Sequence, residues 1–223
     1  MYKKKEFKID EKYSEHLYTG LMGLMMKYCH KKLEVFKRKK EKFSQILEIG
    51  AGVEPHISYI NHSFDDYHIL ETSDFAINEL KKSNNNFIIH KYDGVNFPFK
   101  NLKFDRIIMS HALEHIEQPE QFIEKVMNCL NDNGIFSIAL PTDPGLLWRF
   151  SRFFNGYIKA KSVYKISKTE YNYINATEHV NSVFNLASII RYKYKKNVEE
   201  FYFPFRLNSL DLNFFYNVHI TKN

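Results

Sequence analysis

The chain has 223 residues, 44% of them hydrophobic, a formal charge of +6 and two cysteines. That length supports one substantial core with appendages. No apolar run approaches the ~20 residues of a membrane span, and the basic start Met1-Tyr-Lys-Lys-Lys5 is not followed by the apolar stretch of a secretory leader. A cytoplasmic location is expected, with Cys29 and Cys129 as buried free thiols, because a reducing compartment disfavours a disulfide and two cysteines alone make no zinc site.

In chain order, Leu17, Leu21, Leu24, Met25, Tyr28, Leu33 and Phe36 recur at mostly helical intervals and predict one or two amphipathic helices before the first strand. Within 27–42, Lys27, Lys31, Lys32, Lys37, Arg38, Lys39, Lys40 and Lys42 stand against Glu34 and Glu41, an excess of six that equals the whole net charge. Such a run is most often a solvated helix face; contact with an anionic lipid, a phosphorylated substrate or RNA is the functional alternative.

From residue 45 to 140 strands and helices alternate. Strands are predicted near 45–49, 67–71, 87–91, 104–110 and 134–140, with helices near 55–62, 74–83 and 119–131. This rhythm implies a parallel sheet with right-handed crossovers and helices on both faces. Ligands on such sheets bind outside the carboxyl ends of the strands, which gathers Glu48, Glu71, Asp93 and Ser110 at one edge.

Residues 142–181 break the rhythm and read as an insertion over the mouth of that edge. It opens with the turn Asp143-Pro-Gly145 and carries Arg149 and Arg152 among apolar residues. A helix over 183–194 and two strands, 199–205 and 213–220, close the chain.

The most telling segment is Gln45-Ile-Leu-Glu48-Ile-Gly50-Ala-Gly52, an apolar strand that ends in a carboxylate and enters a glycine turn. Glycines there reach backbone angles closed to other residues and let a ligand approach the main chain. Tyr67-His-Ile-Leu-Glu71 places a second strand-end acid about 20 residues on, the spacing at which a carboxylate accepts from ribose hydroxyls. The dinucleotide pattern G-x-G-x-x-G needs a third glycine where Pro55 stands, which weakens an NAD reading.

Leu47-Glu48-Ile-Gly50-Ala-Gly52 instead resembles the first motif of the class I S-adenosylmethionine-dependent methyltransferases, with Glu54 at the place of the last glycine of G-x-G-x-G. Glu71 matches the ribose-binding acid of that family, and Tyr92-Asp93-Gly94 its adenine-contacting acid. Phe104-Asp105-Arg106-Ile-Ile-Met109-Ser110-His111-Ala-Leu-Glu114-His115 resembles the fourth strand and the turn leaving it, and Gly134-Ile-Phe-Ser-Ile-Ala-Leu140-Pro141 the fifth strand.

The resemblance implies a Rossmann-like α/β fold: a seven-stranded, mostly parallel sheet with an antiparallel C-terminal hairpin and helices on both faces. Residues 1–43 would form an N-terminal helical cap, and residues 44–223 the methyltransferase domain with its insertion at about 142–181. It implies S-adenosylmethionine as cofactor, held by Glu48, Gly50, Ala51, Gly52, Glu71, Thr72, Asp93, Gly94, Ser110 and His111.

The methyl group of a sulfonium is already activated, so such a protein must mainly align the acceptor and exclude water. A hydroxyl acceptor also needs a base, for which His111, His115 and His179 are the catalytic candidates. A small molecule or saccharide methylated at oxygen is the expected substrate; nucleic acid is not the expected partner. Arg149 and Arg152 could receive a phosphate of such an acceptor, or lie on a solvated surface.

His111-Ala-Leu-Glu114-His115 also fits H-x-x-E-H, the spelling of a metalloprotease helix. Here it leaves an apolar strand and is soon followed by Pro119, so no metal is expected. An NAD-dependent oxidoreductase and a non-catalytic methyltransferase-like scaffold remain the alternatives.

Overall fold

The computed structural model describes residues 19–223 except 39, 84 and 85. Leu17 and any helix before residue 19 lie outside the described residues. One sheet contains β1 (Lys42–Ile49), β2 (Ser63–Glu71), β3 (Ile88–Lys91), β4 (Phe104–Ser110), β5 (Leu130–Pro141), β6 (Val198–Phe203) and β7 (Phe215–Thr221). The order is β3-β2-β1-β4-β5-β7-β6. Strands β1 to β5 pair in parallel, and β7 lies antiparallel between β5 and β6. This is the expected seven-stranded, Rossmann-like arrangement.

Around the sheet lie α1 (Gly20–Leu33), α2 (Asp74–Lys82), α3 (Pro119–Asn128), α4 (Leu146–Ser151), α5 (Lys168–Glu178) and α6 (Val183–Tyr194). Helical turns continue from α4 through Ala160–Tyr164. Local chemistry fixes several starts. Ser73 and Ser182 cap α2 and α6 with their hydroxyls, Pro119 sits in the first turn of α3, and Ser167 and Glu170 form a reciprocal capping box on α5.

Strand residues alternate between two cores. Leu47, Ile49, Ile107, Met109, Phe136 and Ile138 pack with Phe122 and Ile123 of α3 and Leu186 and Ile190 of α6. Phe43, Ile46, Ile108, Ile135 and Ala139 face the other way, against Met26, Cys29 and Leu33 of α1 and Leu80 of α2. Both faces are therefore covered, which is why the central strands read as continuous apolar runs. Each fully buried Leu or Ile contributes about 1.5–3 kcal/mol. Cys29 and Cys129 are free and buried, and among the described residues no helix is long and apolar enough to cross a membrane.

Element ends shift by one to three residues in several places, β1 starting at Lys42; three differences have an identifiable physical reason. Strand β2 starts four residues early because the polar segment from Ser63 to Asp66 pairs with β1; Lys42 bridges to Asp65 at 2.6 Å and Gln45 donates to Asp66 at 2.6 Å. Strand β5 starts at Leu130, whose pairing with Phe104 draws in Asn131 and Asp132, so α3 ends at Asn128. No full helix follows Pro55. Only a single turn, His56–Tyr59, forms between the extended residues Pro55 and Ile60, because the His56 amide is drawn inward by Glu48.

Beneath the sheet a buried polar network ties the segment after α1 to β4. Arg106 of β4 is fully buried; its guanidinium meets Glu34 at 2.7 Å and His62 at 2.7 Å and donates to Ser137 at 3.2 Å. The His56 ring contacts Glu34 through Nε2 at 2.8 Å and His30 through Nδ1 at 2.8 Å. Burial alone would raise the Glu34 carboxyl, but the His56 hydrogen bond and the Arg106 charge outweigh it and hold it at about 2. The network is a scaffold: removing one partner of such a pair costs more than the pair contributes.

Candidate active site

At the carboxyl end of β1 the chain turns through Gly50 (φ +70°) and Gly52 (φ +59°), left-handed angles that favour glycine. A Cβ on Gly50 would stand 3.1 Å from that of Ala112, whereas Gly52 faces open space. The Gly50 amide donates to the Leu70 carbonyl at 2.9 Å, which sets the turn beside the end of β2. There Glu71, 5% exposed, accepts from the amides of Gly52 at 2.9 Å, Thr72 at 2.7 Å and Ser73 at 3.0 Å. Two motifs 20 residues apart thus meet through one carboxylate, and Ala51 and Thr72 lie within that contact.

Glu48 points the other way. It is 1% exposed, and both its oxygens accept from protein donors, the His56 amide at 2.9 and 3.0 Å and the Tyr67 hydroxyl at 2.7 Å. Burial pushes this carboxyl up to about 7, against the pull of those hydrogen bonds. The structure places it behind the glycine turn, as part of its floor.

After β3, Tyr92 donates its amide to the Glu71 carbonyl at 2.8 Å and so sets Asp93 next to Glu71. Asp93 is exposed, and its carboxylate accepts from the amides of Asn96 at 2.7 Å and Val95 at 2.8 Å, which hold it below the usual carboxylate range. Gly94 turns there at φ +82°. Ser110 ends β4, and His111 follows at φ +52°, its amide donating to Ala139 at 2.9 Å.

The mouth of the same edge is assembled from distant segments. The turn Leu113–His115 is fastened to the end of α5: the His115 ring Nδ1 meets the Glu178 carbonyl at 2.7 Å, and Asn181 donates its amide to Glu114 at 3.1 Å and its side chain to Ile116 at 2.5 Å. His179 presents Nδ1 to the Asp143 carboxylate at 2.9 Å, which also receives Arg152. The His115 and His179 rings lie 5.1 Å apart at 75°, and the His111 ring rests edge-on against Phe215 at 5.6 Å. Phe215, Leu24, Met25, Tyr28 and Pro204 line an apolar cleft of about 200 Å³ beside it.

The three histidines singled out in the sequence are therefore neighbours. Burial, reinforced by the charges of His179 and His115, lowers His111 to about 3, so it is neutral. Burial raises Asp143, but the hydrogen bond from His179 and the charge of Arg152 outweigh it and keep it ionised. Four buried atoms here have no hydrogen-bond partner among the described residues: Ser110 Oγ, His111 Nε2, Glu114 Oε2 and Asp143 Oδ1.

Sequence reasoning missed Asp143 and Asn181. Asp143 stands just past the carboxyl end of β5, a position that marks the same edge, but its turn-forming sequence concealed it. Arg152, a phosphate candidate in the sequence, is engaged by Asp143.

A 3-2-1-4-5-7-6 sheet with a glycine turn after its first strand and an acid at the end of its second defines a class I methyltransferase. The sequence profile of a methyltransferase domain family matches residues 23–192, and the chain belongs to that family. No curated protein matches the sequence. Among solved structures, the chain is similar to the plantazolicin methyltransferase BpumL in complex with SAH, at TM-score 0.62 and 18% identity over 97% of this chain and 90% of that one. It is also similar to the N-methyltransferase NodS from Bradyrhizobium japonicum WM9 in complex with S-adenosyl-L-homocysteine, at TM-score 0.57 and 13% identity over 90% and 87%. A possible histamine N-methyltransferase from Thermotoga maritima aligns at TM-score 0.57 and 16% identity over 96% and 97%.

Proposed function

We propose that the protein transfers the methyl group of S-adenosylmethionine to an oxygen of a small-molecule or saccharide acceptor. Gly50, Ala51 and Gly52 would back the methionine portion; Glu71, with Thr72, would hold the ribose, and Asp93 and Gly94 the adenine. Ser110 and His111 would wall the pocket, with Glu48 bracing the turn from behind. Glu71 fits this role although three amides already reach it, because a carboxylate offers about four acceptor sites.

The observation that carries the acceptor chemistry is the His179–Asp143 pair. Asp143 fixes the imidazole with Nδ1 as donor, which leaves Nε2 as the base and stabilises the imidazolium that forms. The acceptor hydroxyl gives its proton to Nε2, its oxygen bonds the methyl carbon, and the C–S electron pair stays on sulfur. His115 and His111 shape the path, and the apolar cleft by Phe215 would take the body of the acceptor.

Residues 1–43 would serve as a cap, and the segment 142–181, which supplies Asp143, Arg152 and His179, as the insertion closing the mouth. A cytoplasmic location is part of this reading, as is a mainly solvated role for the basic 27–42 stretch, with contact to anionic surfaces as its alternative.

Incubation with labelled donor and a metabolite extract, read by mass spectrometry, should yield a methylated product. His179→Ala should slow its formation by about 10²- to 10⁴-fold, the range of a positioned base; undiminished turnover would remove His179 from the reaction. A nitrogen acceptor is the second reading, favoured by one similar structure being described as an N-methyltransferase and another as a possible histamine N-methyltransferase. The position of the label in the product decides between them.

A further inference from the structure

We infer that Glu114, His115 and His179 form a seat for a divalent transition-metal ion at the mouth of the site. One potential ligand atom from each of the three lies within 4.8 Å of the others. The spelling H-x-x-E-H gave no metal site in the sequence because the stretch leaves a strand. The fold adds what the spelling lacked, a second imidazole from the end of α5, 64 residues beyond His115.

Three further observations point the same way. Both rings have Nδ1 facing an acceptor, the Glu178 carbonyl for His115 and the Asp143 carboxylate for His179. That is the outer support that metal-bound histidines have: it sets the tautomer and leaves Nε2 with its lone pair. Glu114 is 4% exposed, and its Oε2 is buried without a partner, a costly state for a carboxylate that a cation would relieve. Finally, the two Asn181 hydrogen bonds lock the 114–116 turn to the segment carrying His179, so the two segments that bear the donors are joined before any ligand arrives.

Two imidazoles and one carboxylate suit Zn²⁺, Co²⁺, Fe²⁺ or Mn²⁺; Ca²⁺ and Mg²⁺ prefer all-oxygen sites. Bonds of about 2.1 Å need donor atoms about 3.4 Å apart in a tetrahedral site, which asks for a modest closure that the exposed His115 ring can supply. The remaining coordination positions would face the acceptor. This role, unlike metal binding itself, rests on the methyltransferase reading. The bound hydroxyl loses its proton to water, its oxygen attacks the methyl carbon, and the sulfonium becomes a thioether. The His179 lone pair then belongs to the metal, and the cation replaces it as the means of ionising the hydroxyl.

The test is titration of the full chain with Co²⁺, followed by visible d–d absorption. One equivalent should bind with the bands of a low-coordinate site. His115→Ala and His179→Ala should each weaken binding at least tenfold, and Asp143→Asn by about 10- to 100-fold through the loss of ring support. Absence of such bands, or binding indifferent to His115→Ala, overturns the seat; His115 is exposed, so that variant keeps its fold. Turnover that survives EDTA while cobalt still binds overturns the acceptor role. Calorimetry with S-adenosylmethionine on the same sample separates the two readings, since cofactor binding without cobalt bands sinks only the metal seat, and the reverse sinks only the methyltransferase reading.

Discussion

Two buried glutamates show how differently the floor and the mouth of this site are built. Glu34, beneath the glycine turn, meets Arg106 and His56 and is held at about 2. Glu114, at the mouth, is equally buried, raised by that burial, and left with one oxygen unpartnered. The floor is densely joined: Glu48, His56, Glu34 and Arg106 form a continuous chain of contacts under Gly50 and Gly52, and His219 Nε2, whose ring shares Ser137 with Arg106, is left without a partner among the described residues at its edge. The mouth is open, with unpartnered atoms on Ser110, His111, Glu114 and Asp143. Satisfied polar groups give rigidity, whereas unsatisfied buried ones mark a place where another molecule completes the bonding.

The sharpest way to break this contrast is in the floor. Arg106→Leu strands Glu34 without its cation and should cost about 3–5 kcal/mol of stability in urea unfolding; a cost below about 1 kcal/mol would show the network to be idle. At the rim between the regions, Glu71→Ala should weaken S-adenosylmethionine binding by about 1–3 kcal/mol in calorimetry. Unchanged affinity would take Glu71 out of the site.

Glu48 tests the floor through pH. Its folded carboxyl sits at about 7, above the ordinary 4.5, so the folded state binds the proton more tightly. That contribution is complete below the ordinary value and is lost as pH rises through about 7. Glu48→Gln, a neutral mimic of the protonated form, should therefore be about 3 kcal/mol more stable than the parent at about pH 8 and equal to it at about pH 4. Equal stability at both would mean that the carboxyl ionises without cost. The smallest effect is expected in the mouth: Ser110→Ala removes an unpartnered hydroxyl and should shift stability by less than about 0.5 kcal/mol. A larger loss would reveal a bond that the open-mouth description lacks.

What was readable in the sequence was what is local. The glycine turn, the strand-end acids Glu71 and Asp93 and the central strands each declare themselves within a few residues, and the sheet rule then lines them up. The polar starts of β2 and β5 escaped because pairing with a neighbour, not hydrophobicity, extends them. Arg106 read as an ordinary strand residue; its partner Glu34 is 72 positions away, and nothing in the spacing joins them. Asp143 and Asn181 were invisible for the same reason, and His179 was singled out by position alone, without Asp143 and His115, which give it a chemical role. The floor and the mouth are both products of tertiary contact, and only the turn between them is written in one stretch.

Methyl transfer at this edge requires the cofactor to lie across that turn, and a crystal soaked with S-adenosylhomocysteine tests this directly. Density over Gly50 and Gly52, with the ribose on Glu71 and the adenine beside Asp93, is the predicted result; an empty cleft there, or density bound elsewhere on the chain, would contradict it.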